Sequence, residues 1–293
     1  MDYLINHQTR FEYEHPAGSS HQALRLTPRD SEYQRVLSAQ IRVDPLPRTQ
    51  SQRTDYFGNQ VTDVLIRENH HALKILSTSR VQVRSRDDIL LDLSPAWETV
   101  AQQTRYPDSA GAWDAARFCF PSEQIALEGA REYAEPLITA GKPFLRLAME
   151  LTERIHEEFQ YQGGVTDAYT PVSEILSNRV GVCQDFAHVG IACLRAYGLP
   201  ARYVSGYLLT HPPAGQSRLV GADASHAWLS VWCPEFGWVD FDPTNNMRTL
   251  AEHITLGWGR DYLDVSPTRG FLLGGGTQKL SVSVDVQPIG ESL

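Results

Sequence analysis

The sequence predicts an α+β protein in which an antiparallel β domain comes first and a buried helix packed on a second antiparallel sheet follows. Apolar and polar residues alternate from the N-terminus to about residue 84, which is the period of half-buried strands. Residues 183–197 are apolar on nearly every side, as expected of a buried helix. Three strand-like segments then follow that helix, which favours layered packing of helix on sheet.

Length and charge exclude several classes of protein. The 293 residues correspond to roughly two domains of about 150 residues each. The formal net charge is −9, from 26 basic and 35 acidic side chains, which argues against a nucleic acid or an anionic membrane as partner. No run approaches about eighteen consecutive apolar residues, and the N-terminus lacks the pattern of a signal peptide. We therefore expect a cytoplasmic protein without a membrane-spanning helix.

Residues 1–90 form the predicted N-terminal β-rich domain. Its turns are expected at residues 16–18, 45–47 and 58–59, where proline, glycine and asparagine interrupt the alternation. The apolar residues that share one parity, and so one face of a strand, are Tyr3, Ile5, Phe11 and Tyr13, then Leu37, Ala39, Ile41 and Val43, then Leu73, Ile75, Val81 and Val83.

Three further regions follow. Residues 91–140 are predicted to be a connector with a helical part, because the alternation lapses between residues 87 and 111 and helical spacing begins near residue 122. Residues 141–250 are the predicted core, which opens with apolar residues spaced three or four apart between 145 and 159. Residues 251–293 are the predicted C-terminal segment, whose alternating strand over 280–286 is expected to close a sheet, the N-terminal one being a candidate.

Cys183 is the strongest candidate nucleophile. The four cysteines are far apart and form no CxxC pair, which fits neither a zinc ribbon nor a disulfide framework. Cys183 follows Gly181 at the start of the predicted buried helix, where unpaired backbone N–H groups and the helix dipole stabilise a thiolate. We expect the other three, Cys119, Cys193 and Cys233, to be inert.

His226 and Asp242 are the predicted partners of this thiolate. His226 opens one strand and can carry a proton to the leaving group, and Asp242 ends the next strand and can orient the imidazole. A clean four-residue loop over 234–237 would put the two side chains on opposite faces of the hairpin. The pairing therefore predicts an odd-length loop or a bulge, with Gly237 absorbing it.

Four segments in this order resemble the core of the transglutaminase-like superfamily. They are GVCQDFAH over 181–188, RYVSGY over 202–207, SHAW over 225–228 and DFDPT over 240–244. The N-terminal region, with His7, LRLTP over 24–28 and DYFGN over 55–59, is similar to the N-terminal domain of bacterial members, and the tail around 259–270 also resembles theirs.

The resemblance implies a papain-like fold with a catalytic triad of Cys183, His226 and Asp242, since the family's acid immediately precedes Pro-Thr. Asp240 is then a neighbouring structural carboxylate. The implied chemistry is attack of the thiolate on a peptide or isopeptide amide to give a thioester. We expect hydrolysis by water, because no motif that would dock an amine is legible in the sequence. Transamidation of protein glutamine is the enzymatic alternative, and a non-catalytic peptide-binding module of the same fold is the other.

The remaining site residues are less sharply defined. The backbone N–H of Cys183 and the side chain of Tyr161 are the candidate oxyanion donors. Gln184, Tyr207 and Trp228 are candidates for lining the substrate cleft. No spaced set of metal ligands or calcium loop is present in the sequence, so we expect neither metal nor cofactor. The expected partner is a peptide or protein substrate, and the sequence leaves open whether the chain forms a homo-oligomer.

Overall fold

A computed structural model describes residues 1–86, 88–210 and 225–290. Five of its strands form the main path of an antiparallel N-terminal sheet in the order β2-β5-β1-β4-β3. These strands are β1 (Asp2–Leu24), β2 (Gln34–Asp44), β3 (Thr49–Thr54), β4 (Gln60–Ile66) and β5 (His70–Val83). The α+β class, with a leading antiparallel β region, is therefore confirmed.

Strand β1 runs through the turn that was expected at residues 16–18. Its first half pairs with β5 and its second half with β4, and the pairing with β5 jumps from Glu12 to Ala17. Pro16 cannot donate a ladder hydrogen bond, so the chain forms an irregularity there rather than reversing direction. A second difference from the predicted strand pattern is a bulge between Val36 and Ser38 on β2. Leu37 is exposed there, although the alternation predicted that it is buried.

The connector is more helical than the sequence suggested. Its helices are α1 (Trp97–Arg105), α2 (Ala110–Ala116) and α3 (Ala130–Ala134), and α4 (Phe144–Glu158) opens the core. Helix α1 lies within residues 87–111, the region expected to be irregular, and α2 begins at the end of that region. The helical spacing expected from about residue 122 does not form one continuous helix, because Gly129 and Gly141 adopt positive φ angles and Pro143 immediately precedes α4.

The core is a second sheet with the buried helix against it. Its elements are β6 (Gln160–Tyr161), α5 (Val172–Asn178), β7 (Val180–Gly181), α6 (Cys183–Arg195), β8 (Ala201–Leu208), β9 (Ser225–Cys233), β10 (Gly237–Asp242), β11 (Met247–Arg248), β12 (His253–Gly259) and α7 (Tyr262–Val265). Five of these strands form an antiparallel sheet in the order β11-β10-β9-β8-β12. Every residue of α6 from Asp185 to Arg195 is buried, as predicted. None of the helices in the described part of the chain is long and apolar enough to cross a bilayer.

The C-terminal strands return to the N-terminal sheet. These are β13 (Thr268–Gly274) and β14 (Gln278–Ile289), and both pair with β1. The closing strand expected over 280–286 therefore joins the N-terminal sheet. Strand β12 lies beyond the expected end of the core at residue 250, yet it pairs with β8 and belongs to the core sheet.

The two sheets meet through an apolar cluster that joins the domains. Strands β1, β5 and β14 contribute one side, and β8 and β12 together with the residue after β8 contribute the other. The buried members are Tyr3, Ile5, Val81, Val83, Tyr207, Leu209, Ile254, Leu256, Val284 and Val286. Burial of this much apolar surface makes the sheets one packed unit.

Two side-chain amides cap the free edge of β12. Gln34 donates to the carbonyl of Thr255 and accepts from its N–H, both at 2.8 Å. Asn59 makes the same pair of bonds with Trp258, at 2.9 and 3.0 Å. A Cβ on Gly257 would lie 2.6 Å from the Asn59 amide oxygen, so only glycine fits between these contacts. The N-terminal domain thereby satisfies an edge strand that would otherwise be unpaired.

Replacing Gln34 with alanine removes both hydrogen bonds to Thr255 and leaves two backbone groups of β12 without partners. We expect Gln34→Ala to lower the free energy of unfolding by about 2 kcal/mol or more. Urea denaturation measures the change. The matched control is Gln40→Ala on the same strand, an exposed glutamine, which should change stability by less than about 0.5 kcal/mol. Equal effects of the two substitutions would contradict the edge-capping role.

Candidate active site

Cys183 is the first residue of α6, and a short parallel ladder sets its surroundings. Tyr161 of β6 pairs with Gly181 of β7, which places Tyr161 beside the start of the helix. Asp185 ties the helix start down: its carboxylate accepts from the N–H of Val182 at 2.8 Å and from the hydroxyl of Thr166 at 2.7 Å. Burial raises the pKa of Asp185. Asp185 is thus a structural cap, and the Cys183 side chain remains partly exposed.

The hairpin that carries His226 and Asp242 has the odd-length loop that the sequence predicts. Cys233 pairs with Gly237 across a three-residue loop, and Gly237 has a φ of +67°. This register sets Asp240 opposite Ser230 and continues toward Asp242 opposite Trp228. Since residues two apart on a strand share a face, His226 and Asp242 lie on the same face as a diagonal pair.

His226 connects Cys183 with Asp242. Its Nε2 lies 2.7 Å from Oδ2 of Asp242, which leaves Nδ1 for the hydrogen bond with Cys183. Burial lowers the pKa of His226, but the hydrogen bonds to Asp242 and Cys183 and their charges outweigh it and raise the pKa to about 10. The site therefore favours imidazolium, the form that can pair with a thiolate and donate a proton.

Asp242 is a fully buried carboxylate that accepts five hydrogen bonds. Oδ2 receives His226 at 2.7 Å, the side-chain amide of Asn245 at 2.7 Å and Nε2 of His253 at 3.1 Å. Oδ1 receives the backbone N–H groups of Thr244 at 2.9 Å and Asn245 at 3.2 Å. Burial raises the pKa of Asp242, but these donors lower it well below its usual range.

Sequence reasoning did not identify Asn245 or His253 as site residues. Asn245 follows the Asp-Pro-Thr segment directly, and its proximity to the acid could have been inferred from the turn that an aspartate before proline favours. His253 is a lone histidine at the start of β12, and β12 is separated from β10 by β8 and β9. No local pattern marks it.

Two of the remaining predicted residues lie beside Cys183. Tyr161 is 56% exposed, its ring packs edge-on against Phe186, and its pKa is raised by burial and by the charge of Cys183. Gln184 is partly buried and donates from Nε2 to the carbonyl of Ala168 at 3.2 Å. Both side chains are therefore at the nucleophile end of α6.

Tyr207 and Trp228 do not line an open cleft, so that expectation is wrong. Tyr207 is 1% exposed in the contact between the two sheets, where its hydroxyl bonds to Nδ1 of His7 at 2.9 Å. Trp228 is fully buried and donates from Nε1 to Asp240 at 3.2 Å. Large aromatic rings on central strands pack in the interior, with the polar atom of each paired there.

Asp240 has the structural role that the sequence predicts. Besides the Trp228 bond, its carboxylate accepts from Arg86 at 2.9 Å. Burial raises the pKa of Asp240, and the charges of Arg86 and Arg202 outweigh it and lower the pKa. Among the described residues, the carboxylate that accepts from His226 is therefore Asp242, and Asp240 accepts from Arg86 and Trp228.

The other cysteines are in apolar surroundings that favour the neutral thiol. Burial raises the pKa of Cys119 to about 11 and those of Cys193 and Cys233 to about 12. These values disfavour the thiolate needed for nucleophilic attack. Cys183 is the one described cysteine for which a histidine hydrogen bond is found.

One group of side chains has the composition of a metal site. The ligand atoms of His226, Asp242 and His253 lie within 4.8 Å of one another. The two histidine Nε2 atoms are each directed at the same carboxylate oxygen, so hydrogen bonds account for their convergence. We assign no metal to this group.

The raised pKa of His226 predicts a pH dependence of stability. Because the folded-state pKa of about 10 exceeds the ordinary value of 6.5, this stabilisation is complete below pH 6.5 and is lost as the pH rises toward 10. In urea denaturation across this window, the free energy of unfolding should fall more steeply for the parent than for His226→Gln. His71→Gln, at an exposed histidine, should keep the parent's slope. Equal slopes for the parent and His226→Gln would contradict the raised pKa.

Comparison with known families agrees with this architecture. The model for the bacterial transglutaminase-like N-terminal region matches residues 3–82, and the model for the transglutaminase-like superfamily matches residues 131–243. A crystal structure from Cytophaga hutchinsonii, named a "Putative Cysteine Protease", superposes with a TM-score of 0.78 at 20% identity, covering 100% of this chain and 92% of that one. That similarity establishes a shared fold.

Sequence relatives extend over nearly the whole chain. An uncharacterized protein of Mycobacterium tuberculosis (strain ATCC 25618 / H37Rv) is 40% identical over 295 residues, covering 98% of this chain and 92% of the relative. A protein-glutamine gamma-glutamyltransferase of Pseudomonas aeruginosa is 37% identical over 128 residues, which are 41% of this chain and 19% of that protein. The matched domains, the fold and the full-length relatives agree, and the chain belongs to the transglutaminase-like superfamily, whose fold supports a cysteine-dependent enzyme.

Proposed function

We propose that this protein is a cysteine-dependent acyl-transfer enzyme that hydrolyses peptide or isopeptide amides through a thioester on Cys183. The observation that carries the proposal is the position of His226, whose Nε2 lies 2.7 Å from Oδ2 of Asp242 and whose ring also has a hydrogen bond with Cys183. Covalent catalysis on an amide requires a nucleophile that contacts a base, and a carboxylate that orients the base.

In the first half of the reaction, the Cys183 thiolate attacks the carbonyl carbon of the amide. The C–S bond forms, and the carbonyl electron pair moves to oxygen. The His226 imidazolium then transfers its Nδ1 proton to the amide nitrogen, the C–N bond breaks, and the amine leaves with that proton. Asp242 stays ionised throughout, because its hydrogen-bond donors hold its pKa low.

In the second half, water resolves the thioester. Neutral His226 takes a proton from water at Nδ1 while the water oxygen attacks the acyl carbon. The C–S bond breaks, the acid is released, and the thiolate and imidazolium are restored. The cycle consumes one water and needs no other co-reactant.

The oxyanion of each tetrahedral intermediate needs donors near Sγ of Cys183. The Cys183 backbone N–H is at the first helical position, where no intrahelical acceptor is available. The second candidate donor is the hydroxyl of Tyr161. Tyr161 pairs with Gly181, which is two positions before the nucleophile. Both residues are near the start of α6, and we propose that these two groups stabilise the negative charge on the oxyanion.

Transamidation is the second candidate, because the Pseudomonas aeruginosa relative that shares 37% identity over 128 residues is named a protein-glutamine gamma-glutamyltransferase. The chemistry differs only in the second half, where a primary amine replaces water. The two activities can be separated by the group that is attached to the acyl carbon in the product.

The test is incubation of a peptide mixture in water enriched with heavy oxygen, with and without a biotin-linked primary amine, followed by mass spectrometry. We expect heavy oxygen in newly formed carboxylates and loss of this product in Cys183→Ala and His226→Ala. Cys119→Ala, which removes a thiol outside the site, should retain the parent's rate. Biotin in glutamine side chains in place of new carboxylates would assign transamidation. Parent activity in Cys183→Ala would overturn both enzymatic assignments.

The role of Tyr161 gives a separate prediction. If its hydroxyl stabilises the oxyanion, Tyr161→Phe should lower kcat by about 100-fold, with little change in KM, because the interaction is made in the transition state. Tyr106→Phe is the control, since it removes the hydroxyl of another exposed tyrosine at the end of α1. Unchanged kcat in Tyr161→Phe would exclude it as an oxyanion donor.

A further inference from the structure

His253 approaches the candidate active site from a strand that carries none of the three predicted catalytic residues. It opens β12, and its side chain is 1% exposed with Nε2 at 3.1 Å from Oδ2 of Asp242. Its ring also packs edge-on against Trp228, with centroids 5.3 Å apart. Asp242 Oδ2 is the same atom that accepts the hydrogen bond of His226.

The other nitrogen of His253 fixes which tautomer is present. The backbone N–H of Leu250 points to Nδ1 of His253 at 3.3 Å, and a backbone N–H can only donate. Nδ1 must therefore be an unprotonated acceptor, which leaves the proton of the neutral ring on Nε2. The Nε2–H bond is directed at Asp242, so His253 is set as a neutral donor to the carboxylate.

A glycine leaves space for this contact. Gly206 of β8 pairs with His226 on one side and with Thr255 on the other, between the strands that carry the two histidines. A Cβ there would lie 2.2 Å from the carbonyl of Ile254 and 2.4 Å from the Trp228 ring. The close approach of β12 and Trp228 at Gly206 brings His253 within reach of Asp242.

We propose that His253 is a positioning residue of the reaction. By donating to Oδ2 while the backbone N–H of Thr244 donates to Oδ1, it fixes the orientation in which Asp242 accepts from His226. It also keeps the buried carboxylate ionised without adding a second positive charge. This inference rests on the proposed function, and it adds a fourth residue that acts through Asp242 rather than on the substrate.

The test compares two substitutions of His253 in the intact protein by the rate at which iodoacetamide alkylates Cys183. His253→Phe retains a planar ring against Trp228 but has no N–H donor. We expect it to slow alkylation by about tenfold or more, the effect of losing one hydrogen bond to a charged group. His253→Gln has an N–H donor at a comparable distance from the main chain and should remain within about threefold of the parent.

The controls separate a positioning role from loss of folding and from failure of the proposed function. His70→Phe removes another buried, hydrogen-bonded histidine, in the N-terminal sheet, and should leave the alkylation rate unchanged. Thermal unfolding of each variant shows whether it is folded at the assay temperature. If folded His253→Phe reacts like the parent, or if folded His253→Gln is as slow as His253→Phe, the inference is overturned. If Cys183 of the parent reacts no faster than in His226→Ala, the proposed function itself fails.

Discussion

The arrangement of the candidate site depends on the hydrogen bonds that offset the free-energy cost of burying the Asp242 carboxylate. An ionised group removed from water is tolerated only when hydrogen bonds replace its hydration, and here five donors do so. The donors come from three segments: the turn after β10, the start of β9 and the start of β12. A single side chain therefore connects three separate parts of the core sheet, including the strand that carries His226.

The N-terminal domain supports the same arrangement from outside the core. Strand β12 carries His253, and its outer edge is satisfied by the amides of Gln34 and Asn59 from the N-terminal sheet. Tyr207 fills the apolar contact between the sheets and bonds to His7, whose pKa is lowered to about 4 by burial, so the ring stays neutral there. The N-terminal sheet thus holds the strand on which one side of the site is built.

Much of this could be predicted from the sequence, because the signals were local. Helix α6 follows from a segment that is apolar on nearly every side, and the odd-length loop follows from requiring His226 and Asp242 to share a face. His253 could not be predicted, since its partner is three strands away in the sheet and only the packing at Gly206 brings them together. The cleft position expected for Tyr207 is wrong because the sequence shows that an aromatic residue lies in an apolar strand but not which layer of the protein covers it.

The proposed function requires that Cys183 and His226 form a thiolate–imidazolium pair held by Asp242. The most direct measurement is the ultraviolet absorbance of the thiolate as a function of pH, taken as the difference between the parent and Cys183→Ala. We expect thiolate absorbance at pH values well below the ordinary cysteine pKa of about 8.5, and its loss at those pH values in His226→Ala. A difference spectrum that develops only near or above about 8.5 in both proteins would show that no such pair is formed.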